Sequence, residues 1–189
     1  MANYLPTKRR AFVASLLSLT LACAISAAQA QTKVLFQTSA GEFTVELDAE
    51  KAPKTVDNFL HYVRDKHYDG TIFHRVIDNF MIQGGGYTVP MNQRPTRPPI
   101  PLEAFNGLKN DAGTVAMART SKIDSATAQF FINVKNNDFL NAKSASDGYT
   151  VFGKVITGMD AVQRIQSTPT ATGDVPKTAV VINSVTMLR

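Results

Sequence analysis

Short β-type runs separated by turn residues dominate this chain, and only two stretches place apolar residues at helical spacing. The first two runs, residues 34–38 and 42–47, surround Ser39-Ala40-Gly41 and predict a hairpin. Further strands are predicted at residues 71–76, 81–83, 114–118, 129–134, 149–155 and 180–187. The apolar spacing predicts one helix from Pro53 to about Arg64 and a second over residues 159–165.

This order of elements constrains the fold class. Strands and helices do not alternate regularly, so a doubly wound parallel sheet does not fit. Seven or eight short strands with two separate helices indicate an α+β or mainly-β protein: a closed eight-stranded antiparallel β-barrel capped by two α-helices. Residues 88–101 carry five prolines and predict a stiff loop, not a linker between domains, because strands resume after it.

The first thirty residues have the pattern of a cleavable secretory signal peptide. Lys8, Arg9 and Arg10 precede an apolar stretch at residues 11–25, and Ala28-Gln29-Ala30 is a small-x-small cleavage site. A membrane anchor is a weaker alternative, because the apolar stretch is shorter than the roughly 20 residues of a spanning helix. Lipid attachment at Cys23 is weaker too, because residue 20 is not a large aliphatic residue. We expect cleavage after Ala30 and a single domain over residues 31–189.

Charge and cysteine content narrow the function of that domain. Residues 1–30 hold three of the 20 basic residues and none of the 15 acidic ones, so residues 31–189 carry a net charge of +2 instead of +5. This small excess of positive charge argues against nucleic acid as a partner. It also weakens one possible function, that of a secreted basic protein that binds anionic surfaces through Arg94, Arg97 and Lys109. The only cysteine lies in the leader, so the domain depends on its core and not on disulfides.

The sequence has no recognisable metal site, nucleophile or phosphate-binding loop. His61, His67 and His74 match no short zinc motif. There is no Gly-x-Ser-x-Gly elbow, and the glycines of residues 84–86 lack the lysine of a phosphate loop. We therefore expect neither a metal nor a cofactor.

An arginine stands among apolar residues in segment 72–86, which reads I-F-H-R-V-I-D-N-F-M-I-Q-G-G-G. A guanidinium in such surroundings is costly to desolvate unless it has partners or a task. The three glycines allow another group to approach the backbone closely. Together these features suggest an apolar pocket with Arg75 at its rim. The structural alternative is an ion pair of Arg75 with an acid such as Glu46 or Asp69.

Five segments in register closely resemble the cyclophilin family of peptidyl-prolyl cis-trans isomerases: residues 73–75, 80–85, 117–118, 129–132 and 151–155. With the signal peptide, and with Ala118-Arg119-Thr120 before Asp124-Ser125-Ala126, the chain looks most like the periplasmic bacterial branch. The resemblance implies an isomerase that acts on proline-containing exported polypeptides and assists their folding in the periplasm. It further implies a monomer without nucleic-acid partners and, after cleavage, without stable membrane association.

The resemblance also implies a role for each matched residue. Arg75 matches the catalytic arginine. The matched substrate-binding residues are Phe80, Met81, Phe131 and Leu140 as pocket walls, Gln83 and Gln129 as polar groups for the substrate backbone, and Arg119 and Thr120 where backbone groups pair with the peptide. Phe139 stands where many eukaryotic members carry tryptophan, and Tyr149 where they carry histidine. Because phenylalanine lacks the indole donor, weak cyclosporin binding is implied.

Rotation about an X-Pro bond needs no bond cleavage, which agrees with the missing nucleophile and metal. Resonance gives the peptide bond a barrier of roughly 18–20 kcal/mol. Our hypothesis is that Arg75 donates a hydrogen bond to the prolyl nitrogen as it becomes pyramidal, an interaction made only in the twisted state. A proline-binding adaptor or holdase with incidental isomerase activity needs the same pocket and stays open as the alternative function.

Overall fold

The computed structural model describes Met1 and residues 31–188, so the predicted signal sequence after Met1 and its cleavage site lie outside the described residues. The strands are β1 (Lys33–Thr38), β2 (Gly41–Leu47), β3 (Thr71–Ile77), β4 (Met81–Gly84), β5 (Tyr87–Thr88), β6 (Asn92–Gln93), β7 (Thr114–Met117), β8 (Phe130–Asn133), β9 (Val151–Thr157) and β10 (Val181–Leu188). The α-helices in this range are α1 (Pro53–Arg64) and α2 (Met159–Gln166).

Eight strands close into an antiparallel barrel in the order β1-β10-β3-β4-β8-β7-β9-β2. The predicted fold class is therefore confirmed, and so are all eight strands that the sequence pattern predicted. Strands β5 and β6 form a separate two-stranded sheet in the proline-rich segment, which was wrongly predicted as a loop throughout. Residues 139 and 140 lie in a 3-10 turn, Asp138–Leu140.

Aromatic rings fill the interior of the barrel. The ring centroid of Phe130 on β8 lies 5.5 Å from that of Phe36 on β1 and 6.1 Å from that of Phe59 on α1. Phe59 in turn lies 5.2 Å from Phe152 on β9, and it is fully buried. Helix α1 therefore contributes to the same core as the strands and closes one end of the barrel.

The two helices close opposite ends of the barrel. Helix α1 comes shortly after the end of β2 in the chain, whereas α2 packs beside the start of β2. There the Arg164 Nε donates to the carbonyl of Ala40, the residue before this strand, at 2.7 Å. Ala161, Val162 and Ile165 of α2 are fully buried in the interior core. Within the described residues, no helix has the length and apolar character needed to cross a bilayer.

A second, smaller apolar cluster lies on the outer face of the barrel. Its buried members are Met81, Ala116, Phe131, Leu140 and Val151, on β4, β7, β8, the 3-10 turn and β9. Side chains alternate along each strand, so Phe130 and Ile132 belong to the interior core while Phe131 between them faces outward. The alternation leaves an apolar surface outside the barrel, where a ligand can reach it.

Candidate active site

One row of cross-strand neighbours runs through five adjacent strands and supplies the centre of the site. Arg75 on β3 pairs with Gln83 on β4, and Gln83 pairs with Phe131 on β8. The row continues from Phe131 to Ala116 on β7 and from there to Val151 on β9. Residues that are directly opposite in antiparallel strands hold their side chains close together on one face. The barrel register therefore places the predicted arginine, glutamine and phenylalanine side by side.

A bulge in β3 gives Arg75 its outward orientation. Phe73 pairs with Gly84 and Arg75 pairs with the next residue, Gln83, so two residues of β3 are opposite one of β4. Phe73 belongs to the interior core, and strict alternation from Phe73 would direct residue 75 inward as well. The extra residue, His74, reverses this alternation, as bulges near active sites do. Arg75 is consequently 44% exposed and avoids the cost of burial that its apolar neighbours in the sequence suggested.

A pocket of about 100 Å³ lies over the outer apolar cluster. Eight of the eleven residues that sequence analysis assigned to the site line the pocket: Arg75, Phe80, Met81, Gln83, Arg119, Phe131, Leu140 and Tyr149. Ala118 is an additional lining residue. The structure thus brings these side chains together, while their roles in substrate binding stay predictions.

The other three predicted residues lie beside the pocket and do not line it. The Gln129 Oε1 accepts a hydrogen bond from the Gln83 Nε2 at 3.0 Å. Phe139 stacks on Phe80 with a centroid distance of 5.5 Å and is 70% exposed. The hydroxyl of Thr120 donates to the Ser125 Oγ at 2.8 Å. Each of the three is therefore next to a residue at the pocket or to the loop that follows β7.

Arg119 and Tyr149 form a stacked wall. The Arg119 Cζ lies 4.6 Å from the centroid of the Tyr149 ring, a cation–π contact, and that ring meets Phe131 edge to face at 5.6 Å. The Nε and Nη2 of Arg119 both donate to the Gly148 carbonyl, at 3.0 and 2.9 Å. This anchoring holds the guanidinium over the ring and fixes the tyrosine against the pocket.

The ion pair of Arg75 differs from the alternative that the sequence suggested. Its Nε lies 3.4 Å from the Asp174 Oδ2, and neither Glu46 nor Asp69 is the partner. Glu46 pairs with Lys33 at 3.5 Å, and the Asp69 Oδ1 accepts from a backbone N–H of β10 at 3.3 Å. Within the described residues, the Arg75 Nη1 and Nη2 donate no hydrogen bond, so both remain available at the pocket.

The three glycines of residues 84–86 make room for side chains of the protein itself. A Cβ on Gly84 would lie 3.0 Å from the Phe73 ring, and one on Gly85 would lie 2.8 Å from the Phe130 ring. A Cβ on Gly86 would lie 2.5 Å from the Gln129 Cγ. The close approach that the glycines suggested is therefore made by core rings and by a glutamine of the site.

Buried asparagines behind the pocket are functional candidates that sequence analysis missed. The Asn137 Nδ2 donates to the Phe80 carbonyl at 3.0 Å and to the Asn133 Oδ1 at 2.8 Å. The Asn110 Nδ2 donates to the Leu140 carbonyl at 3.2 Å, and its Oδ1 accepts from Asn133 at 3.2 Å. The network holds the backbone of two pocket walls. An asparagine at the end of a strand, Asn133, and another four residues later were the only sequence signal, and such residues are ordinary at strand ends and in loops.

The three histidines lie at separate places. His61 pairs with Asp57 one helical turn away at 3.6 Å. Burial lowers the pKa of His67, whose Nε2 lies 3.2 Å from the Gly85 carbonyl. Burial also lowers the pKa of His74 to about 4, and the positive charge of Arg75 adds to the effect. Among residues 31–188, no group of three or more His, Cys, Asp or Glu side chains is arranged to hold a metal ion.

Similarity to known proteins extends through nearly all of the described chain. The family model for "Cyclophilin type peptidyl-prolyl cis-trans isomerase/CLD" matches residues 33–187. Peptidyl-prolyl cis-trans isomerase A of Dickeya dadantii is 48% identical over 183 residues, covering 95% of this chain and 96% of that protein. Peptidyl-prolyl cis-trans isomerase cyp18 of Streptomyces antibioticus is 56% identical over 162 residues, covering 82% of this chain and 98% of that protein. A Cryptosporidium parvum cyclophilin type peptidyl-prolyl cis-trans isomerase, crystallised in the presence of the dipeptide Ala-Pro, matches with a TM-score of 0.71 at 27% identity, covering 83% and 99%.

Proposed function

This chain belongs to the cyclophilin-type peptidyl-prolyl cis-trans isomerases, and from that premise we propose that it accelerates rotation about X-Pro bonds in exported polypeptides, with Arg75 as the catalytic residue. The observation that carries the proposal is the position of Arg75 at the edge of an apolar pocket, with its Nη groups free of protein acceptors in the described range. An apolar pocket binds a prolyl ring, and a guanidinium beside it can act on the prolyl nitrogen.

The mechanism follows from how the peptide bond changes as it twists. In the planar bond the nitrogen lone pair is delocalised into the carbonyl, and the barrier is roughly 18–20 kcal/mol. In the twisted state the lone pair returns to the nitrogen and can accept a hydrogen bond from an Arg75 Nη. Because the planar substrate offers no such acceptor, the bond stabilises the twisted state alone and raises kcat.

The glutamine pair supplies groups for the peptide backbone next to the proline. The Gln83 Nε2 donates to the Gln129 Oε1, which leaves the Gln83 Oε1 as an acceptor and the Gln129 Nε2 as a donor. A peptide unit needs both kinds of group. With the ring held by Met81, Phe131 and Leu140, these contacts fix one side of the bond while the other side rotates.

Arginine substitutions test the assignment. In an NMR-exchange or protease-coupled assay on a short X-Pro peptide, Arg75→Ala is expected to lower kcat/KM by about 100-fold, as for removal of one transition-state donor. Arg75→Lys keeps the charge but loses the planar fork and is expected to be strongly impaired. Arg164→Lys is the control, because Arg164 is also exposed and paired with an aspartate, at 2.7 Å, but lies on α2. Parental activity in Arg75→Lys would show that the assigned role is wrong.

The alternative function, a proline-binding adaptor or holdase, requires ring binding but not Arg75. Suppression of aggregation of an unfolded proline-containing protein measures that function separately from turnover. The enzyme proposal expects the folding rate of such a client to fall with Arg75→Ala. If Arg75→Ala assisted the client as well as the parent while its peptide turnover was lost, binding would be the function and isomerisation incidental.

Export of the chain is part of the proposal. It is supported by the signal-peptide pattern of residues 1–30 and by the alignment to the Dickeya dadantii protein, whose 95% coverage extends into this segment. Expression of the full chain in a Gram-negative host is expected to give periplasmic protein that begins at Gln31, measured by intact mass after osmotic shock. Light scattering of that material is expected to give the mass of a monomer. Cytoplasmic protein that retains Met1 would contradict the export proposal.

A further inference from the structure

We propose that Asp174 is a positioning residue for Arg75: its carboxylate holds the Nε side of the guanidinium and keeps both Nη groups directed to the pocket. The inference rests on the proposed function, in which Arg75 is the catalytic residue. Its first basis is the contact itself, in which the Asp174 Oδ2 lies 3.4 Å from the Arg75 Nε. A planar guanidinium that is held at Nε has two Nη groups left to donate to a substrate.

The second basis is the way in which the backbone presents this carboxylate. Gly173 and Asp174 both have left-handed backbone angles, with φ of +81° and +62°. Such a conformation is uncommon for any residue with a side chain, although aspartate and asparagine tolerate it best. The Val76 N–H donates to the Asp174 carbonyl at 2.8 Å and ties the turn to the residue directly after Arg75. The turn is thus joined to β3 next to Arg75, and the side chain of residue 174 lies beside that arginine.

The exposure of the pair indicates what the contact does. Both side chains are 44% exposed, and exposed ion pairs contribute little to the stability of a fold. A contact with so small an effect on stability can still restrict a long side chain that would otherwise sample many rotamers. Restricting the catalytic group before the substrate binds lowers the entropy lost in reaching the twisted state. We therefore expect the effect of Asp174 on kcat to exceed its effect on stability or on KM.

Asp174→Asn is the sharpest test, because asparagine tolerates the left-handed backbone and keeps an oxygen acceptor but removes the charge. On an uncharged X-Pro peptide we expect kcat to fall about fivefold with KM unchanged, the size expected of an exposed pair. The kcat of Asp174→Gly, a substitution that also suits the backbone, is expected to fall at least as far. Asp160→Asn is the matched control: it removes the exposed ion pair to Arg164, at 2.7 Å on α2, and is expected to keep parental kcat.

Salt dependence and a double variant separate positioning from a structural role. Raising the salt to about 1 M shortens the Debye length to about 3 Å. The kcat of the parent is then expected to fall towards that of Asp174→Asn, which stays constant. Arg75→Ala with Asp174→Asn is expected to equal Arg75→Ala alone, since the aspartate acts only through the arginine.

The two proposals fail in different ways. If Arg75→Ala loses activity while Asp174→Asn keeps the parental kcat and salt dependence, the positioning inference is overturned and the proposed function stands. If Arg75→Ala itself keeps the parental kcat, the proposed function fails. A fall in kcat of Asp174→Asn that is matched by an equal fall in Asp160→Asn would also overturn the inference.

Discussion

Glu103 caps helix α1 from 48 residues away through Thr55: its Oε2 accepts hydrogen bonds from the Thr55 backbone N–H at 2.8 Å and from the hydroxyl at 2.7 Å. Its Oε1 accepts from the Lys54 N–H at 3.1 Å. The residue at the N-cap, Ala52, has no side-chain acceptor, and the first turn of α1 has no acidic residue. In place of a local cap, a distant carboxylate therefore accepts hydrogen bonds from the free N–H groups and interacts favourably with the positive end of the helix dipole.

Removing this cap is expected to destabilise the fold without affecting the site. Glu103→Ala should lower the free energy of unfolding by about 1–2 kcal/mol, the usual effect of losing a helix cap. Urea denaturation measures the change, and Glu50→Ala is the control because Glu50 is exposed and precedes the same helix. Equal urea midpoints for the two variants would show that charge near the helix, and not the hydrogen bonds, is responsible.

Gly85→Ala is expected mainly to lower the stability of the protein, and Gly86→Ala mainly its activity. Gly85 has φ of +84°, and its Cβ would lie 2.8 Å from the Phe130 ring and 2.9 Å from the Tyr68 ring, both rigidly packed. Gly85→Ala should therefore lower the free energy of unfolding by about 1–3 kcal/mol or more. At Gly86 the obstacle is the side chain of Gln129, which can move away at the expense of its bond to Gln83.

Gly86→Ala is accordingly expected to lower kcat/KM several-fold with a smaller loss of stability, because one hydrogen bond in the site is worth about 1 kcal/mol. Thermal unfolding and the X-Pro exchange assay on both alanine variants give the comparison. A larger loss of stability in Gly86→Ala than in Gly85→Ala would contradict this account of the glycine triplet.

Periodicity was sufficient to predict the barrel, but the features that complete the site depend on distant parts of the chain. Apolar alternation predicted the eight strands, because each strand follows its own pattern. The bulge at His74 could not be predicted, since it exists only relative to β4. The partner of Arg75 is 99 residues away, and a hydrogen bond over that distance has no local sequence signal.

The pKa of His74 predicts how stability changes with pH. Its pKa falls from 6.5 in the unfolded chain to about 4 in the fold, so the unfolded state binds more protons between these values. The contribution of neutral His74 to the free energy of unfolding is therefore fully present above about pH 6.5 and is lost as the pH falls towards 4. Between the two ends of this range, the free energy of unfolding changes by about 3 kcal/mol. Burial also lowers the pKa of His67, which acts in the same direction.

His74→Gln is expected to flatten this dependence between pH 6.5 and 4, whatever its effect at pH 7. Urea midpoints at pH 7, 5.5 and 4.5 for parent and variant measure the slopes, and the His67→Gln variant shows the share of the second histidine. Parallel curves for parent and His74→Gln would show that acids, and not this histidine, determine the pH response.

Phe139 tests whether the pocket continues beyond the residues that line it. The ring is 70% exposed, yet it stacks on Phe80 with 28° between the ring planes, and Phe80 lines the pocket. Because aromatic pairs contribute about 0.5–1.5 kcal/mol, Phe139→Ala is expected to lower kcat/KM about fivefold by releasing Phe80. Since an exposed ring contributes little to the core, the free energy of unfolding should change by less than about 0.5 kcal/mol. Phe105→Ala is the control, because Phe105 is 66% exposed but lies beside Leu102 and Ala145, away from the pocket. Parental kcat/KM in both variants would show that the substrate does not depend on the Phe80–Phe139 stack, and the site would then end at Phe80.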